Sequence, residues 1–391
     1  MLSNRLTDHR GLHLSKTQHT SIPEGLKHEY VIIPSTSAPS WGGYFVIDIR
    51  EKHCNLHDVV LQFNATALTY STTTTNPRYT PAVFWPLRIE FVQNNNVIDT
   101  VYSNEQFICT QLFNFDEQRK LMNVAMGQYD STTQRQTLAS AANSYYVDLS
   151  TYFQQGHIPL LDNNTDIQIR VYMDSLANNA VANGSTGSPI STINSCNAIC
   201  KLSRMPSHHS LALKQSIASR PHHFKFIELR YGTFVVASGV SSTSIVLTPI
   251  TGNLHYLFFT VRPTASLTGD SAFSYTAITN FAILDGTSTN IVGGQSIPST
   301  LALTVFNKEN IKSSYTSESS NNANVYMWSF SASSVDTFQD GVDLSTFKFS
   351  GNEQLQIQFT GSLAANVQVD VYAFIHSAVE YSASGVRKIS L

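Results

Sequence analysis

Charged side chains are scarce in this chain. Asp, Glu, Lys and Arg make up 13% of its 391 residues, about half the roughly 25% that is usual in soluble domains. Hydrophobic residues reach 42% and aromatic residues 11%, so the chain has enough apolar side chains for a folded core. Its remaining polarity comes from Ser, Thr, Asn and Gln, which cost less free energy to bury than charges do. The composition favours a protein with large buried contacts in an assembly, because a protein that stays exposed usually carries more charge.

Long apolar runs and cysteine frameworks are missing as well. No run approaches the ~18–20 residues that cross a bilayer, and residues 1–20 lack the apolar stretch of a signal peptide. Four cysteines are too few for a disulfide scaffold in a chain of this length. We therefore expect no secretion route, and we expect the glycosylation sequons at Asn64, Asn163 and Asn183 to arise by chance. The net charge of −3 gives no overall signal for nucleic-acid binding.

The clearest local pattern is period two, in the segment Gly351–Ser377. Apolar residues alternate with polar ones over Gln354–Phe359 and again over Val367–Phe374. This spacing predicts two strands, each with one face in a core and one face in water. The wet face of the second strand is predicted to carry Gln368, Asp370 and Tyr372.

Four stretches of the first half recur, in the same order, in the second half. Their offsets are 188 for Ile169 against Ile357, 198 for Leu56 against Leu254, 193 for Phe113 against Phe306 and 192 for Glu90 against Ala282. Similar stretches in one order at nearly one spacing indicate two copies of one structural unit. Chance similarity among strands rich in Asn, Ser and Thr is the alternative explanation.

Many short strands separated by Gly, Ser, Thr and Asn turns predict an all-β protein of sandwiches or barrels. We assign residues 1–26 to a polar N-terminal arm, 27–202 to a first unit, 203–223 to a basic linker and 224–391 to a second unit. Each unit has roughly 170–180 residues, more than an immunoglobulin-type sandwich of about 100. This size fits an eight-stranded jelly roll with long loops. One helix is predicted, at Gln106–Met126.

Basic residues are concentrated in the arm and the linker. No Asp or Glu occurs from Ser175 to Ile227. Two interpretations stay open: the arm and the linker are ordinary solvated segments, or they form a base that faces anionic lipid or nucleic acid. In the second case each Lys or Arg would contribute on the order of 1 kcal/mol. The residues expected to face a membrane or an interior are Arg5, Arg10, Lys16, Arg204, Lys214 and Arg220.

Metal and catalytic signatures are weak in this sequence. Cys196 and Cys200 precede His208-His209, but a structural zinc site usually needs a second close pair of ligands. Adjacent histidines on extended chain would also point in opposite directions. His53 and His57 are four apart in strand-like sequence, where they would not share a face as they would on a helix. The acids are scattered, and neither a Gly-x-Ser-x-Gly motif nor a phosphate-binding glycine loop occurs. We predict no catalytic residue, no metal and no cofactor.

Taken together, these features resemble the double-jelly-roll major capsid proteins of icosahedral viruses, many of which have a membrane beneath the shell. The resemblance spans nearly the whole chain and is one of architecture, since that family has no diagnostic short motif. It is carried by the two copies about 190 residues apart, the strands Gln354–Phe359 and Val367–Phe374, the polar arm and the charge-poor composition. The helix at Gln106–Met126 resembles one that the family often carries in a long inter-strand loop, and its counterpart in the second copy, Asn307–Ser314, is weak.

The resemblance implies a structural protein of the virion and not an enzyme. It implies a homotrimer whose six jelly rolls form a pseudo-hexagonal tile, with strands roughly upright to the shell and long loops outside. It places the arm and the linker low, toward the interior. The implied partners are other copies and neighbouring capsomers, with an internal viral membrane or minor capsid proteins as further candidates, and no specific nucleic-acid recognition. Assembly would take place in the host cell.

Two other functions fit a chain built from jelly rolls. A glycan-binding fibre or lectin would have a shallow pocket of aromatic and carboxylate side chains near Trp41, Trp85 or Trp328. A two-jelly-roll enzyme, such as a glycan amidase or a copper monooxygenase, would bring carboxylates or histidines together in the cleft between its units. The scattered acids argue against the enzyme.

Overall fold

The chain folds into two compact units in a computed structural model. The structure describes residues 27–72, 75–112, 114, 116–129, 131–149, 158–162, 165–267, 275–291, 297–298, 324–330 and 347–390. Unit 1 takes in the chain up to Phe107, then 117–226 and 377–389. Unit 2 takes in 108–116, 227–376 and the last two residues. Each unit therefore includes a segment from elsewhere in the sequence.

Thirteen strands lie in the first half of the chain, within the described residues. They are β1 (Lys27–Pro34), β2 (Tyr44–Ile49), β3 (Cys54–Ala65), β4 (Thr69–Thr72), β5 (Arg78–Tyr79), β6 (Pro86–Gln93), β7 (Asn96–Tyr102), β8 (Asn143–Asp148), β9 (Ile158–Leu160), β10 (Ile167–Met173), β11 (Ala180–Val181), β12 (Thr186–Ile190) and β13 (Ile193–Arg204). The helices are α1 (Ser103–Leu112), α2 (Asp116–Ala125), α3 (Thr132–Ala139), α4 (Leu176–Asn179) and α5 (Ser207–Ser219), with a 3-10 turn at Ala82–Phe84.

The second half contributes ten described strands and a 3-10 turn at Thr264–Ser266. The strands are β14 (His222–Val236), β15 (Ser242–Val246), β16 (Thr251–Pro263), β17 (Ile278–Leu284), β18 (Ile297–Pro298), β19 (Val325–Ser329), β20 (Phe347–Ser350), β21 (Gln354–Phe359), β22 (Val367–Ser382) and β23 (Gly385–Ser390).

The same eight-strand topology occurs twice. The first half forms a sheet in the order β1-β13-β3-β8, extended by β9, and a second sheet in the order β2-β10-β6-β7. The second half forms β14-β22-β16-β19, extended by β20 and β23, and β15-β21-β17-β18. If the eight strands of these two sheets are numbered along the chain in each half, strands with the same number occupy the same place in the sheets. Two four-stranded antiparallel sheets per copy are the jelly-roll architecture, so the predicted all-β fold of two tandem jelly rolls is confirmed.

The sequence repeat maps onto equivalent strands. Ile169 and Ile357 lie in β10 and β21, which occupy the second position of their sheets, and both side chains are buried. Leu56 and Leu254 lie in β3 and β16, which occupy the third position of the other sheet. Glu90 and Ala282 lie in β6 and β17, which also occupy equivalent positions. The fourth match, Phe113 with Phe306, lies outside the described residues. The offsets therefore arise from a duplicated fold rather than from chance similarity among polar strands.

A β-bulge falls at a histidine in both copies. In the first, Leu56 pairs with Leu202 and Asp58 with Lys201, so His57 is the extra residue. In the second, Leu254 pairs with Ile375 and Tyr256 with Phe374, so His255 is the extra residue. A bulge re-aims the side chains that follow it and increases the local twist. Both bulges come directly after the leucine at which the 198-residue repeat begins.

One prediction about strand β22 is wrong. Its period-two pattern predicts a wet face, but Asp370 and Tyr372 are both buried. The reason is a second apolar layer on the outer side of this sheet. Tyr372 packs there in a cluster contributed by four strands, by Tyr275 and by the helical residues Ile108, Cys109 and Leu112. Strand β21 does follow its pattern, with Leu355, Ile357 and Phe359 buried and the residues between them exposed or half-buried.

Burial of Asp370 requires partners, and the structure supplies them. Arg262 donates to Asp370 Oδ2 from Nε at 3.0 Å and from Nη2 at 2.5 Å. Tyr231 donates its hydroxyl to Oδ1 at 2.8 Å, and Gln368 donates its amide to the same oxygen at 2.7 Å. Burial alone would lower the pKa of Arg262, but the Asp370 carboxylate outweighs it and raises that pKa above its usual value. Burial and the same carboxylate raise the pKa of Tyr231 well above its usual value, so its hydroxyl stays protonated.

The helix prediction needs two corrections. Gln106–Met126 was expected to be one helix, but α1 ends at Leu112 and α2 begins at Asp116. The linker 203–223, in which no secondary structure was predicted, contains the 13-residue helix α5. Its buried residues Ser210, Leu213 and Ile217 follow helical spacing, a signal present in the sequence but not used. The counterpart helix at Asn307–Ser314 lies outside the described residues.

The buried ion pair predicts a large stability effect for one substitution. Asp370→Asn leaves the Arg262 guanidinium buried without a carboxylate, and breaking such a pair costs about 3–5 kcal/mol. Urea unfolding at neutral pH should show this loss. Asp48→Asn is the control, because Asp48 pairs with the exposed Arg50 and surface pairs contribute only about 0–1 kcal/mol. Equal losses for the two variants would contradict a structural role for the buried pair.

His255 predicts an acid-sensitive step in the stability of unit 2. Burial, and next the neighbouring His376, lower the pKa of His255 from 6.5 to about 4. The unfolded chain therefore binds this proton more readily, so stability is intact above pH ~6.5 and falls as the pH drops toward 4. The 2.5-unit difference corresponds to a loss of about 3 kcal/mol.

The test compares the unfolding free energy of the protein at pH 7 and pH 4. His255→Gln should reduce the difference between the two values by up to ~3 kcal/mol, because the titrating group is gone. His53→Gln removes an exposed histidine and serves as the control. An unchanged pH dependence in His255→Gln would show that His255 does not control acid stability.

Candidate functional site

The basic segment lies at one end of the first sheet of unit 1. Strand β1 begins there and β13 ends there, since Lys27 pairs with Arg204. Strand β3 begins at the same place, with Cys54 opposite Arg204. Helix α5 follows two residues after Arg204. We call this region the Arg204 end of unit 1.

Arg204 is neutralised by carboxylates from two other parts of the sequence. It donates from Nε to Glu29 at 2.5 Å and from Nη2 to Glu51 at 2.6 Å. A third hydrogen bond runs from Nη1 to the carbonyl of Lys52 at 3.2 Å. Burial would lower the pKa of Arg204, but the bonds to Glu51 and Glu29 outweigh it and raise that pKa. The guanidinium is therefore held by its own unit.

Lys214 is paired as well, and it lines a small cavity. Its Nζ lies 3.0 Å from Asp162 Oδ2. The cavity measures about 140 Å³ and lies between α5, the residues around Asp162, and the β22–β23 hairpin. Tyr381 closes one side of it, and its hydroxyl donates to Gln93 at 3.3 Å. Apolar surface from Ile217 and Val386 makes up much of the rest.

The other predicted site residues differ in placement. Arg220 is exposed at the end of α5, which it caps with its backbone N–H. Arg5, Arg10 and Lys16 lie outside the described residues. The structure thus brings Arg204 and Lys214 to one end of unit 1, each beside a carboxylate that local sequence did not reveal. That these residues face a membrane or the interior of a shell stays a prediction.

The cysteines and histidines singled out by spacing do not converge. Cys196 and Cys200 are buried on β13, where burial raises the pKa of Cys200 to about 12 and that of Cys196 further, so both thiols are protonated. His208 and His209 lie on helix α5, not on extended chain as predicted. Within the described ranges, no cluster of three or more His, Cys, Asp or Glu has the arrangement of a metal site.

Two histidines do meet at the Arg204 end. His28 Nδ1 lies 2.8 Å from the Ser203 hydroxyl, and His57 Nε2 also hydrogen bonds to it. Their rings are 5.8 Å apart. Burial, and next the neighbouring His28, lower the pKa of His57 to about 4, so it is neutral near pH 7. His53 lies apart from this pair and hydrogen bonds to Ser210 of α5 at 2.7 Å.

The tryptophans serve the packing of their own units. Trp85 is fully buried, donates to the carbonyl of Thr80 at 3.1 Å and packs against Tyr145 at 4.7 Å. Trp41 packs edge-on against Trp85 at 5.1 Å. Trp328 packs on the sandwich core of unit 2. Because Trp85 is fully buried, it is not available to line the shallow surface pocket that a lectin would need.

A membrane-spanning helix needs about 20 predominantly apolar residues. None of the helices in the described part of the chain is both long enough and apolar enough to span a membrane.

Comparison with known proteins gives no match at the level of sequence families. No family model matches the chain, and no curated protein matches it.

Solved structures, in contrast, match over nearly the whole chain. The capsid of the virus PBCV-1 matches at a TM-score of 0.69 and 15% identity, over 94% of this chain and 97% of that one. The Faustovirus major capsid protein matches at 0.67 and 10% identity, over 96% and 97%. A chain of the Sputnik virophage matches at 0.64 and 11% identity, over 94% and 89%. At these identities the likeness concerns the fold, and the chain thus has the double-jelly-roll fold of these viral capsid structures.

Proposed function

We propose that this chain is the major capsid protein of an icosahedral virus and forms homotrimeric, pseudo-hexameric capsomers. The observation that carries the proposal is the duplicated eight-strand topology, together with end-to-end similarity to viral capsid structures. The similarity extends over more than nine-tenths of this chain and of both matched chains.

Geometry gives the duplication a reason. A hexagonal tile needs six similar units around a centre, and three copies of a two-unit chain supply them. A ring of head-to-tail contacts then closes without leaving a free edge. Obligate interfaces of this kind bury several thousand Å² in total. Such burial is consistent with the low charge content of 13%.

The Arg204 end supports a more specific proposal about orientation. We propose that it faces the shell interior, with residues 1–26 as an arm and 203–223 as the connection between jelly rolls 27–202 and 224–391. Because Arg204 and Lys214 are neutralised within unit 1, the attraction to an anionic membrane would come from Arg220 and from the arm residues Arg5, Arg10 and Lys16. Minor capsid proteins would be alternative partners there.

The proposed function predicts the oligomeric state of the protein in solution. The purified protein should have a mass about three times 43.2 kDa in light scattering coupled to gel filtration. Negative-stain images should show pseudo-hexagonal particles. A monomer at micromolar concentration would contradict the proposed function.

A second prediction concerns the interior face. Removing these four cations, as Arg5→Ala, Arg10→Ala, Lys16→Ala and Arg220→Ala together, should weaken binding to anionic vesicles by on the order of 1 kcal/mol per charge. Co-flotation with phosphatidylserine vesicles at low and high salt measures this. Lys348→Ala, an exposed cation on β20 of unit 2, is the control. Unchanged flotation of the fourfold variant would rule out this membrane contact.

A further inference from the structure

The outer face of one sheet in unit 2 is covered by a helical segment. Phe258 and Tyr372 are paired on neighbouring strands of that sheet and point away from the sandwich core. Three residues of the connection between β7 and β8 pack in the same cluster, namely Ile108, Cys109 and Leu112. All three are buried. A connection that belongs to the first repeat in sequence therefore completes unit 2.

Among the described residues, the equivalent face of unit 1 carries exposed and half-buried apolar side chains. By the repeat, Val60 and Ile199 take the places of Phe258 and Tyr372, and they are paired in the same way. Ile32 pairs with Ile199, and Tyr30 pairs with Lys201 one step along. Tyr30 is 73% exposed and Ile32 is 62% exposed. We call these four apolar residues, Tyr30, Ile32, Val60 and Ile199, the β1 face.

The sequence repeat identifies a segment suited to cover the β1 face. The match of Phe113 with Phe306 has an offset of 193. The same offset of 193, applied to the residues before Phe113, aligns Ile108, Cys109 and Leu112 with Leu301, Ala302 and Val305. All three covering positions are apolar in both copies, although the flanking residues differ. Leu301–Val305 lies between β18 and β19, as α1 lies between β7 and β8, and it is outside the described residues.

The order of the repeats decides whose face this segment covers. The connection of the first repeat covers the repeat that follows it. In a two-repeat chain, the unit that follows the second repeat is the first unit of another copy. Such a contact is heterologous, because the face and the segment that meet are different surfaces, and repetition closes it into a ring.

We propose that Leu301–Val305 of one copy docks on the β1 face of the next copy. The inference rests on the proposed trimer and specifies its interface. The face has the anatomy of an interface core, with Tyr30, Ile32, Val60 and Ile199 at its centre. Lys201 lies between Tyr30 and Asp58 in the register of β1, β13 and β3, so one polar row borders the apolar row of Ile32, Ile199 and Val60.

A photo-crosslinking experiment tests which segment lies on the face. A photoreactive phenylalanine analogue replaces Ile32 in the full-length protein, which is mixed from ¹⁴N and ¹⁵N preparations and reassembled. After irradiation, mass spectrometry should find mixed-isotope crosslinks to the peptide that contains Leu301–Val305. The same analogue at Val235, a 69% exposed strand residue of unit 2, is the control and should give no such peptide.

A mixing experiment tests the head-to-tail geometry. Ile32→Glu spoils the face and leaves the segment intact, whereas Leu301→Lys spoils the segment and leaves the face intact. Each variant alone should be monomeric, and an equimolar mixture should form a dimer, because one intact face and one intact segment remain. The matched control Val235→Glu should stay trimeric. Val305→Lys replaces Leu301→Lys if the latter lowers the melting temperature.

The outcomes separate this inference from the proposed function. A monomeric wild-type protein would overturn both. A trimeric wild-type protein whose variants Ile32→Glu and Leu301→Lys stay trimeric would overturn only the interface. Crosslinks from position 32 that are confined to one isotope would also overturn it, since the segment would then cover its own chain.

Discussion

Each sheet of a jelly roll has two faces, and only the inner one is buried in the core between the two sheets. In unit 2 the outer face of the β14-β22-β16-β19 sheet carries an apolar cluster of its own, in which Tyr256 stacks on Phe374 at 4.3 Å. Such a face must be covered, and the residues from α1 cover it. Covering removes water from the polar groups in that layer, so Asp370 needs Arg262 and Tyr231. The ion pair is thus a consequence of the second apolar layer.

The sequence predicted those elements whose burial follows from the pleat of a single strand. Strands β10 and β21 alternate as their patterns require, and their shared position explains the offset of 188. The prediction for strand β22 was half wrong. A period-two pattern shows that alternate side chains lie on opposite faces, but it does not show what each face packs against. Tyr372 and Asp370 look polar enough for water, yet both are buried. Tyr372 packs in a cluster with Ile108, Cys109 and Leu112, which lie more than 250 positions earlier in the chain. A contact over that separation leaves no trace in the local pattern.

The basic segment shows the same limit for charge. Its 53 residues without an acid suggested an uncompensated basic surface, but the strand pairing brings Glu29 and Glu51 to Arg204. Neutralisation is set by register, because Lys27 lies opposite Arg204 and places Glu29 within reach. The spacing of Leu213 and Ile217 is helical and indicates α5 from the sequence itself. Composition shows where basic residues are concentrated in the sequence, but it does not show which carboxylates lie beside them in three dimensions.

The β-bulges at His57 and His255 are shared by the two copies, although the surroundings of the two histidines differ. His57 and His255 share a position, yet the first bonds to a serine hydroxyl near His28 and the second packs beside His376. Burial lowers the pKa of both to about 4, so neither contributes a charge near pH 7. Two copies with different neighbours and the same bulge indicate that the position serves the backbone. The extra residue adds twist to the central strand of each sheet, and the strand then presents Val60 and Phe258 at equivalent positions of the two copies.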